Sequence, residues 1–424
     1  MASATNASQA YSANVAILRD KTINESWFNT IWARWSGATD ISRDDNGNAL
    51  VRPSGKPIEM MTEFIQKGRD NMLLPMRMDL SGAPVFGDTV VEGTGEDQDL
   101  DFLRLYVNQT RKAVMAQSGA MANEYVKIYN MIEAATPQLS KWLSKYDNQD
   151  VSRAFYEGVG ENLSVGTADD GKGLYKRYHP NWYYNDGGVL TSAGTAGSTK
   201  TNAHLDTAAA SGLYGLTSDI VEYMNPVLME RMIPQIVSEN GMPYWACLIS
   251  PQQKITLLAD SGFKAANQAA WNGLSTNAEL QGFVGYYMGV AFFEDIVAVR
   301  SWNTTRGDFF GATQATAFAP SVLPSDKNQN AIFFGNGAIG KGISRDKAKF
   351  TTVLSDHENV KEIAVSVING YNRADYFDEA LDGETAGGGA ANAFSKNNAA
   401  AGVTDAIACT NQSSLILMTK STAT

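Results

Sequence analysis

Residues 71–114 read NMLLPMRMDLSGAPVFGDTVVEGTGEDQDLDFLRLYVNQTRKAV, and the order of elements inside them decides how the rest of the chain is organised. The run 71–80 predicts a strand. Behind it, SGAPVFGDTVVEGTGEDQD holds four glycines, a proline and a cluster of acids, which is turn chemistry. A second strand-like run, Leu103 to Val114, returns from it. The whole is a long two-stranded excursion with a polar tip; such a hairpin is marginal in isolation and needs a neighbouring surface to lie on. Five acids crowd the tip, Glu92, Glu96, Asp97, Asp99 and Asp101. Their spacing matches no known cation loop, so they read as solvated or as partners for basic residues of another chain.

Working towards the N-terminus, the first 20 residues are small and polar and read as an extended arm, followed by Trp27, Phe28, Ile31, Trp32 and Trp35 at roughly helical spacing. An arm with aromatic anchors has to dock on something. Towards the C-terminus, Met121, Tyr125, Ile128, Ile132, Leu139, Trp142 and Tyr146 predict a helix from about 117 to 156, which Pro137 should kink or interrupt. Residues 163–212 show no period and read as an elaborated loop. A second helix is predicted after Ser218 and Asp219, with Ile220, Met224, Val227, Leu228, Met232 and Ile236 on one face. PYWACLI (243–249) reads as a buried strand, with Ser250 and Pro251 as N-cap and first-turn proline of the next helix. FVGYYMGVAFFEDIVAV (283–299) predicts strands meeting at Gly285 and Gly289, and Ala331–Phe334, Ile363–Ile368 and LILM (415–418) predict three more. Residues 383–402 are low-complexity loop. Helices and strands mix without regular alternation, which predicts an α+β fold.

Composition bounds the function. The 424 residues are 44% hydrophobic, enough to build packed units, and the balance of 34 basic against 45 acidic residues gives −11. A net acidic chain whose longest basic run is two residues does not bind nucleic acid through a general basic field. Only 19% of residues are charged, which hints at surface covered by other subunits. Cys247 and Cys409 are too few for a disulfide framework and lack metal spacing. The N-terminal stretch has neither the basic nor the apolar region of a signal peptide, and the uncharged stretches near 280–293 and 309–325 are broken by Gly, Gln or Pro, so the expectation is a soluble protein made inside the cell.

Candidates for chemistry are few. IFFGNGAIGKG (332–342) satisfies GxGxxG through Gly335, Gly337 and Gly340, and Gly335, Gly340 and Lys341 nearly complete a phosphate loop, but position 342 is Gly where Ser or Thr must reach magnesium. Both motifs need a helix to start there, and GISRDKAKFTTV is too polar and β-branched for one. A glycine-rich turn between strands is the preferred reading. Asp356, His357 and Glu358 are adjacent, so their side chains cannot converge on one metal. Asp44, Asn46 and Asn48 start like a calcium loop without its glycine or closing Glu. No GxSxG serine exists. The expectation is no catalytic residue, no cofactor and no metal.

Three segments carry a resemblance. Leu80, Gly82, Ala83, Gly87, Asp88, Glu92, Gly93 and Glu96 follow an L-x-G-A…G-D-x-x-x-E-G-x-x-E pattern; WACLISPQQKITLLAD (245–260) gives a strand, a proline-started helix and a Leu-rich turn; GFVGYYMGVAFFED (282–295) is glycine-spaced. Together, in this order over roughly residues 70–370, they resemble the major capsid proteins of N-four-type podoviruses and related phages. The chain departs in Asn108, in Ser250 and in the insertion at 163–212.

The resemblance implies an HK-ninety-seven-like capsid fold: N-terminal arm 1–60, E-loop hairpin with flanks 61–116, P-domain spine helix 117–160, loop-rich insertion 161–212, A-domain 213–345, and a return to the P-domain with the C-terminal segment 346–424. It implies a structural coat protein of a tailed bacteriophage, not an enzyme, assembling with itself into hexamers and pentamers of an icosahedral shell around double-stranded DNA. The eight patterned residues of 80–96 become E-loop contacts between subunits, and Trp27, Phe28, Trp32 and Trp35 become anchors of the arm. Scaffold, portal and decoration proteins are the implied partners, with no sequence-specific DNA binding and no membrane; the location is the virion, after synthesis in the host bacterial cytoplasm. The alternatives are another self-assembling shell such as an encapsulin-like compartment, or a nucleotide-dependent enzyme using 335–341.

Overall fold

The structure, a computed structural model, describes residues 30–43, 49–61, 71–77, 86, 100–115, 131–158, 160, 179, 181–192, 214–238, 241–271, 282–294, 302–303, 308–309, 328–355, 360–377, 409–411 and 413–420. In chain order a 3-10 turn, Ile31–Trp35, leads into β1 (Ser36–Ala38), the hairpin of β2 (Asp40–Arg43) and β3 (Ala49–Arg52), and β4 (Ile58–Met61). The strands β5 (Asn71–Arg77), β6 (Leu100–Tyr106) and β7 (Asn108–Met115) precede the long helix α1 (Met131–Glu157). Next come β8 (Trp182–Asp186), β9 (Val189–Ser192), α2 (Ser218–Glu230), β10 (Ile236–Val237) and β11 (Pro243–Ile249), then α3 (Pro251–Ala259) and α4 (Ser261–Trp271). The chain continues through β12 (Phe283–Tyr287), β13 (Val290–Glu294), the short pair β14 (Trp302–Asn303) and β15 (Asp308–Phe309), β16 (Asn328–Phe334), β17 (Ile339–Ser355) and β18 (Val360–Arg373). It ends on β19 (Tyr376–Phe377), β20 (Cys409–Thr410) and β21 (Ser414–Lys420).

Two sheets make the body. The larger, mixed and eight-stranded, runs β12-β13-β11-β16-β21-β8-β9, with β10 paired to β11; the other runs β1-β4-β17-β18-β7. The larger sheet is covered on both faces, which explains why PYWACLI, AIFF and LILM are unbroken apolar runs rather than alternating ones. One face, Ala246, Leu248, Phe293, Ile332, Phe334, Ile416 and Met418, packs on Val151, Phe155 and Tyr156 of α1. The opposite face, Cys247, Ile249, Phe292, Phe333, Leu415 and Leu417, packs on Ile220, Met224 and Leu228 of α2, Leu257 of α3 and Phe263 of α4. Those positions are the adjacent residues of the same strands, as the two-residue period demands.

The helix α1 has 27 residues, about 40 Å at 1.5 Å per residue. Its earlier turns lay Leu139 and Leu143 on Ile363, Val365 and Val367 of β18, and its later turns reach beneath the larger sheet. One rod therefore fixes the two sheets to each other. Pro137 lies inside it and does not interrupt it; its side chain faces solvent.

Several expectations need correcting. The segment assigned to the arm belongs to the body from Thr30 on: Trp32 and Trp35 are fully buried, and β1 and β4 extend the five-stranded sheet in parallel with β17. The presumed loop 163–212 contains the hairpin β8–β9, with β8 parallel to β21; Trp182 and Tyr183 are core residues, and Gly187 and Gly188 at positive φ make the turn. Helix α2 ends at Glu230, so Met232 is not on its buried face but 68% exposed, and Ile236 belongs to a strand. The turn of β12–β13 is Met288-Gly289, whereas Gly285 sits within β12 at a register shift. The closing strand β21 lies inside the larger sheet between β16 and β8, not with the five-stranded one.

Candidate functional site

The glycine-rich run 335–342 joins the two sheets. Gly335 N–H donates to Ser413 O, Asn336 N–H to Pro234 O and Gly337 N–H to Lys56 O, and β17 starts two residues later. A Cβ at Gly335 would lie 2.0 Å from Pro234 O, so this glycine answers to the crossing of chains, while Gly337 holds φ +65° and answers to the turn. Since a strand follows where a phosphate site needs a helix N-terminus, the nucleotide reading falls. Lys341 agrees: it is buried, with Nζ 5.2 Å from the Tyr371 ring centroid rather than offered to a ligand.

Beneath that crossing lies a buried polar cluster. Asp147 of α1 accepts from Asn369 Nδ2 and Tyr371 Oη of β18, both at 3.1 Å. Burial pushes Lys341 down to about 7 against the upward pull of Asp147 and Asp150, and burial raises Asp147 against the pull of Lys341, Tyr371 and Asn369. The sheets meet at a second cluster. Arg373 grips Asp375 in a two-pronged pair, Nε–Oδ1 2.7 Å and Nη2–Oδ2 2.8 Å, and its Nη1 donates to Phe155 O near the end of α1 at 2.6 Å. Asn411 Nδ2 donates to Asp375 Oδ1 and Ala374 O, and its Oδ1 accepts from the backbone of Ser413 and Ser414.

Fully buried His179 completes this junction. Its Nδ1 accepts from Asn181 N–H, so the ring proton is assigned to Nε2, which lies 2.8 Å from Ser414 Oγ. A second ring proton would point at the Asn181 N–H. Burial first, then the Arg373 charge, hold this histidine well below its ordinary pKa. These groups clamp helix to sheets; none faces a cleft, and burial pushes the Cys247 thiol up, away from nucleophilic use. Sequence reasoning missed the clamp, because no motif or spacing links Asn369, Tyr371, Arg373, Asp375 and Asn411 to Asp147 of α1.

The residues singled out from the sequence divide. Trp32 stacks on Phe155 at 5.3 Å and meets Phe334 at 5.6 Å, while Trp35 stands edge-on to Phe293 at 4.9 Å and Phe334 at 5.0 Å. They dock the segment on this chain's own core. Trp27, Phe28, Leu80, Gly82, Ala83, Gly87, Asp88, Glu92, Gly93 and Glu96 lie outside the described residues, as do Asp44, Asn46, Asn48, Asp356, His357 and Glu358. Of the tip, Phe86 is described and is 79% exposed. The limbs of the excursion pair antiparallel from Asn71↔Tyr106 to Arg77↔Leu100 as a ribbon outside both sheets. Among the described residues no group of His, Cys, Asp and Glu could hold a metal ion, and no helix is long and apolar enough to cross a membrane.

Two sheets joined by one spine helix, with Trp32 and Trp35 docked on their shared core and a separate two-stranded ribbon lying against the five-stranded sheet, make a fold of the HK-ninety-seven-like class. The family model for phage capsid proteins matches residues 30–387, and the chain belongs to that family. Its role is therefore structural. Among solved structures it is similar to the capsid of Ralstonia phage GP4 (16% identity, TM-score 0.57, covering 87% of this chain and 88% of that one) and to the capsid of Cyanophage Pam1 (14%, 0.58, 93% of each). The head of Helicobacter pylori bacteriophage KHP40 is a third (11%, 0.54, 92% and 90%). No curated protein matches the chain.

Proposed function

We propose that this chain is the major coat subunit of a tailed phage, closing as hexamers and pentamers into an icosahedral shell around double-stranded DNA after synthesis in the host cytoplasm. The observation that carries the reading is the ribbon β5–β6. Its strands pair with each other and with no other strand among the described residues, and its tip exposes Phe86. A two-stranded ribbon is marginal alone; here β6 runs against β17 and β18 of the chain's own sheet with Leu105 buried, and a neighbouring subunit would cover the open end that carries Phe86, with symmetric repetition closing the contacts. In this reading the five-stranded sheet with α1 is the P-domain, the eight-stranded sheet with α2, α3 and α4 is the A-domain, and within 61–116 the ribbon β5–β6 is the E-loop while β7 returns to the P-domain.

The charge of −11 fits a wall that lets DNA pack and leave without adhering. Scaffold, portal and decoration proteins would be the hetero-partners. The test is negative-stain imaging and size-exclusion chromatography of the expressed chain, alone and with co-expressed scaffold. Capsomers or shells are expected. A monodisperse monomer in both settings and across salt would overturn the reading.

A further inference from the structure

The open side of the spine helix carries one sign of charge. From Pro137 to Tyr156 the charged residues of α1 are Lys141, Lys145, Asp147, Asp150 and Arg153. The last three are buried, and both lysines are exposed. At 3.6 residues per turn the two lysines lie about 40° apart around the helix and about 6 Å apart along it, on the side away from Leu139 and Leu143, which rest on β18. A third lysine joins them from the sheet. β7 is the edge strand beside β18, and Lys112 stands opposite Val365, so its side chain rises on the face that α1 covers. Its Nζ lies 5.7 Å from the ring centroid of Trp142, which stacks on Tyr146 at 5.3 Å. Lys112, Lys141 and Lys145 therefore line one flank of the rod, with half-buried Trp142 between them.

Local folding gains nothing from this placement. Like charges four residues apart on a helix repel and weaken it, and among the described residues no acid pairs with Lys112, Lys141 or Lys145. The chain holds 45 acids against 34 bases, yet the described side chains on this flank are basic or uncharged. The strip is also invisible in the sequence, where no basic run exceeds two residues; it exists only because α1 lies along β18 and brings positions 141 and 145 beside position 112.

The geometry points to a phosphate-facing strip: Lys112, Lys141 and Lys145 meet the backbone of the double-stranded DNA that the shell encloses. The inference rests on the coat-subunit reading above. The occupant follows from charge. Three ammonium groups with no acid among them favour a dense polyanion, and duplex DNA offers one negative charge per about 1.7 Å of its axis, so lysines spaced along a straight helix find phosphates in any sequence and any register. The rest of the wall sharpens the contact. At −11 per chain the surface as a whole repels the duplex, so packed DNA approaches it where the local sign reverses. Three salt-sensitive contacts per subunit order the outer layer of DNA without gluing it to the wall.

The experiment is acetylation footprinting of lysines by mass spectrometry, in DNA-filled shells, in the same shells emptied of DNA, and in free subunits. Lys254, paired with Glu294 on the other sheet's side, is the reference for reagent access. Relative to it, Lys112, Lys141 and Lys145 are expected to react at least about fivefold more slowly in filled shells than in empty ones. If no shell forms, the coat reading itself has failed. Shells whose three lysines react alike when filled and when empty refute the strip while the coat reading stands, and protection already complete in empty shells assigns the flank to a protein contact and refutes it equally. The double variant Lys141→Gln, Lys145→Gln supplies an independent readout. Its melting midpoint should stay level or rise, since a repelling pair is removed, while Lys112 in filled shells should react at least about twofold faster than in the native chain. Unchanged protection of Lys112 in the folded variant would also refute the strip.

Discussion

In the larger sheet every central strand is enclosed by its own chain, with Cys247, Phe292 and Phe333 under the α2–α4 layer and Leu248, Phe293 and Phe334 against α1. The ribbon β5–β6 has one strand partner on each limb and a described tip residue that is 79% exposed. The first region carries what a subunit needs to fold; the second is rooted in that body through β6, whose Leu105 is buried, and is open at Phe86 to meet another subunit. Separating those two budgets in experiments is the way to test whether the division is real, and substitutions in the body should move subunit stability by kcal/mol amounts that a substitution at the exposed Phe86 does not.

The largest effect is expected at the clamp between helix and sheets. Arg373→Met leaves Asp375 fully buried without its two-pronged partner and leaves Phe155 O without its Nη1 donor. Removing one member of a buried pair typically costs about 3–5 kcal/mol. Urea unfolding of the variant should show that loss, and a change below about 1 kcal/mol would mean that the clamp does not hold the body.

His179 gives a pH-resolved version of the same test. Its pKa is lowered in the fold, so the folded chain binds fewer protons than the unfolded one; stability is fully present above the ordinary value of about 6.5 and is lost as pH falls below it. The loss reaches at most about 1.4 kcal/mol per pH unit. Unfolding free energies measured from pH 8 down to 5 should fall more steeply for the native sequence than for His179→Gln. Parallel curves would show that a buried neutral histidine is not what makes the body acid-sensitive.

A smaller change is expected at the start of α3. Ser250 Oγ accepts from Gln253 N–H at 3.1 Å while Gln253 Oε1 accepts from Ser250 N–H at 3.0 Å. Ser250→Ala removes one half of that reciprocal cap and should cost about 1 kcal/mol in the melting or urea curve. An unchanged curve would show that Gln253, which also donates to Thr419 Oγ1, orders the helix start without it.

The split between body and ribbon also marks what a sequence reveals. Unbroken apolar runs such as PYWACLI made the buried strand legible because both of its faces are covered. Ser250-Pro251 announced α3, because capping is decided within four residues. Trp182 and Tyr183 were missed although Asp186-Gly187-Gly188 carried a hairpin signal; their polar, glycine-rich surroundings masked it. The clamp was illegible for a different reason: Asp147, Lys341 and Arg373 become a buried network only when α1, β17 and β18 meet, a fact of tertiary packing that no local period encodes. Of the residues read as anchors of the arm, Trp32 and Trp35 dock on this chain's own core.

The smallest expected effect on the subunit belongs to Phe86, and it is the sharpest test of the division. At 79% exposed this side chain is mostly open to solvent in the isolated subunit, and substitutions at exposed positions typically stay within about 0.5 kcal/mol. Phe86→Ser should leave the urea midpoint unmoved. In the proposed shell an exposed aromatic ring between the ribbon's two limbs would be buried by the neighbour, and aromatic side chains dominate the energetics of interfaces. Shell assembly followed by light scattering should therefore need a clearly higher subunit concentration for the variant, with the native midpoint as the control that the subunit is intact. Equal assembly would move the association energy away from the tip; an altered midpoint would show that Phe86, like Leu105 of β6, is part of the folded body, and the contrast between the two regions would collapse.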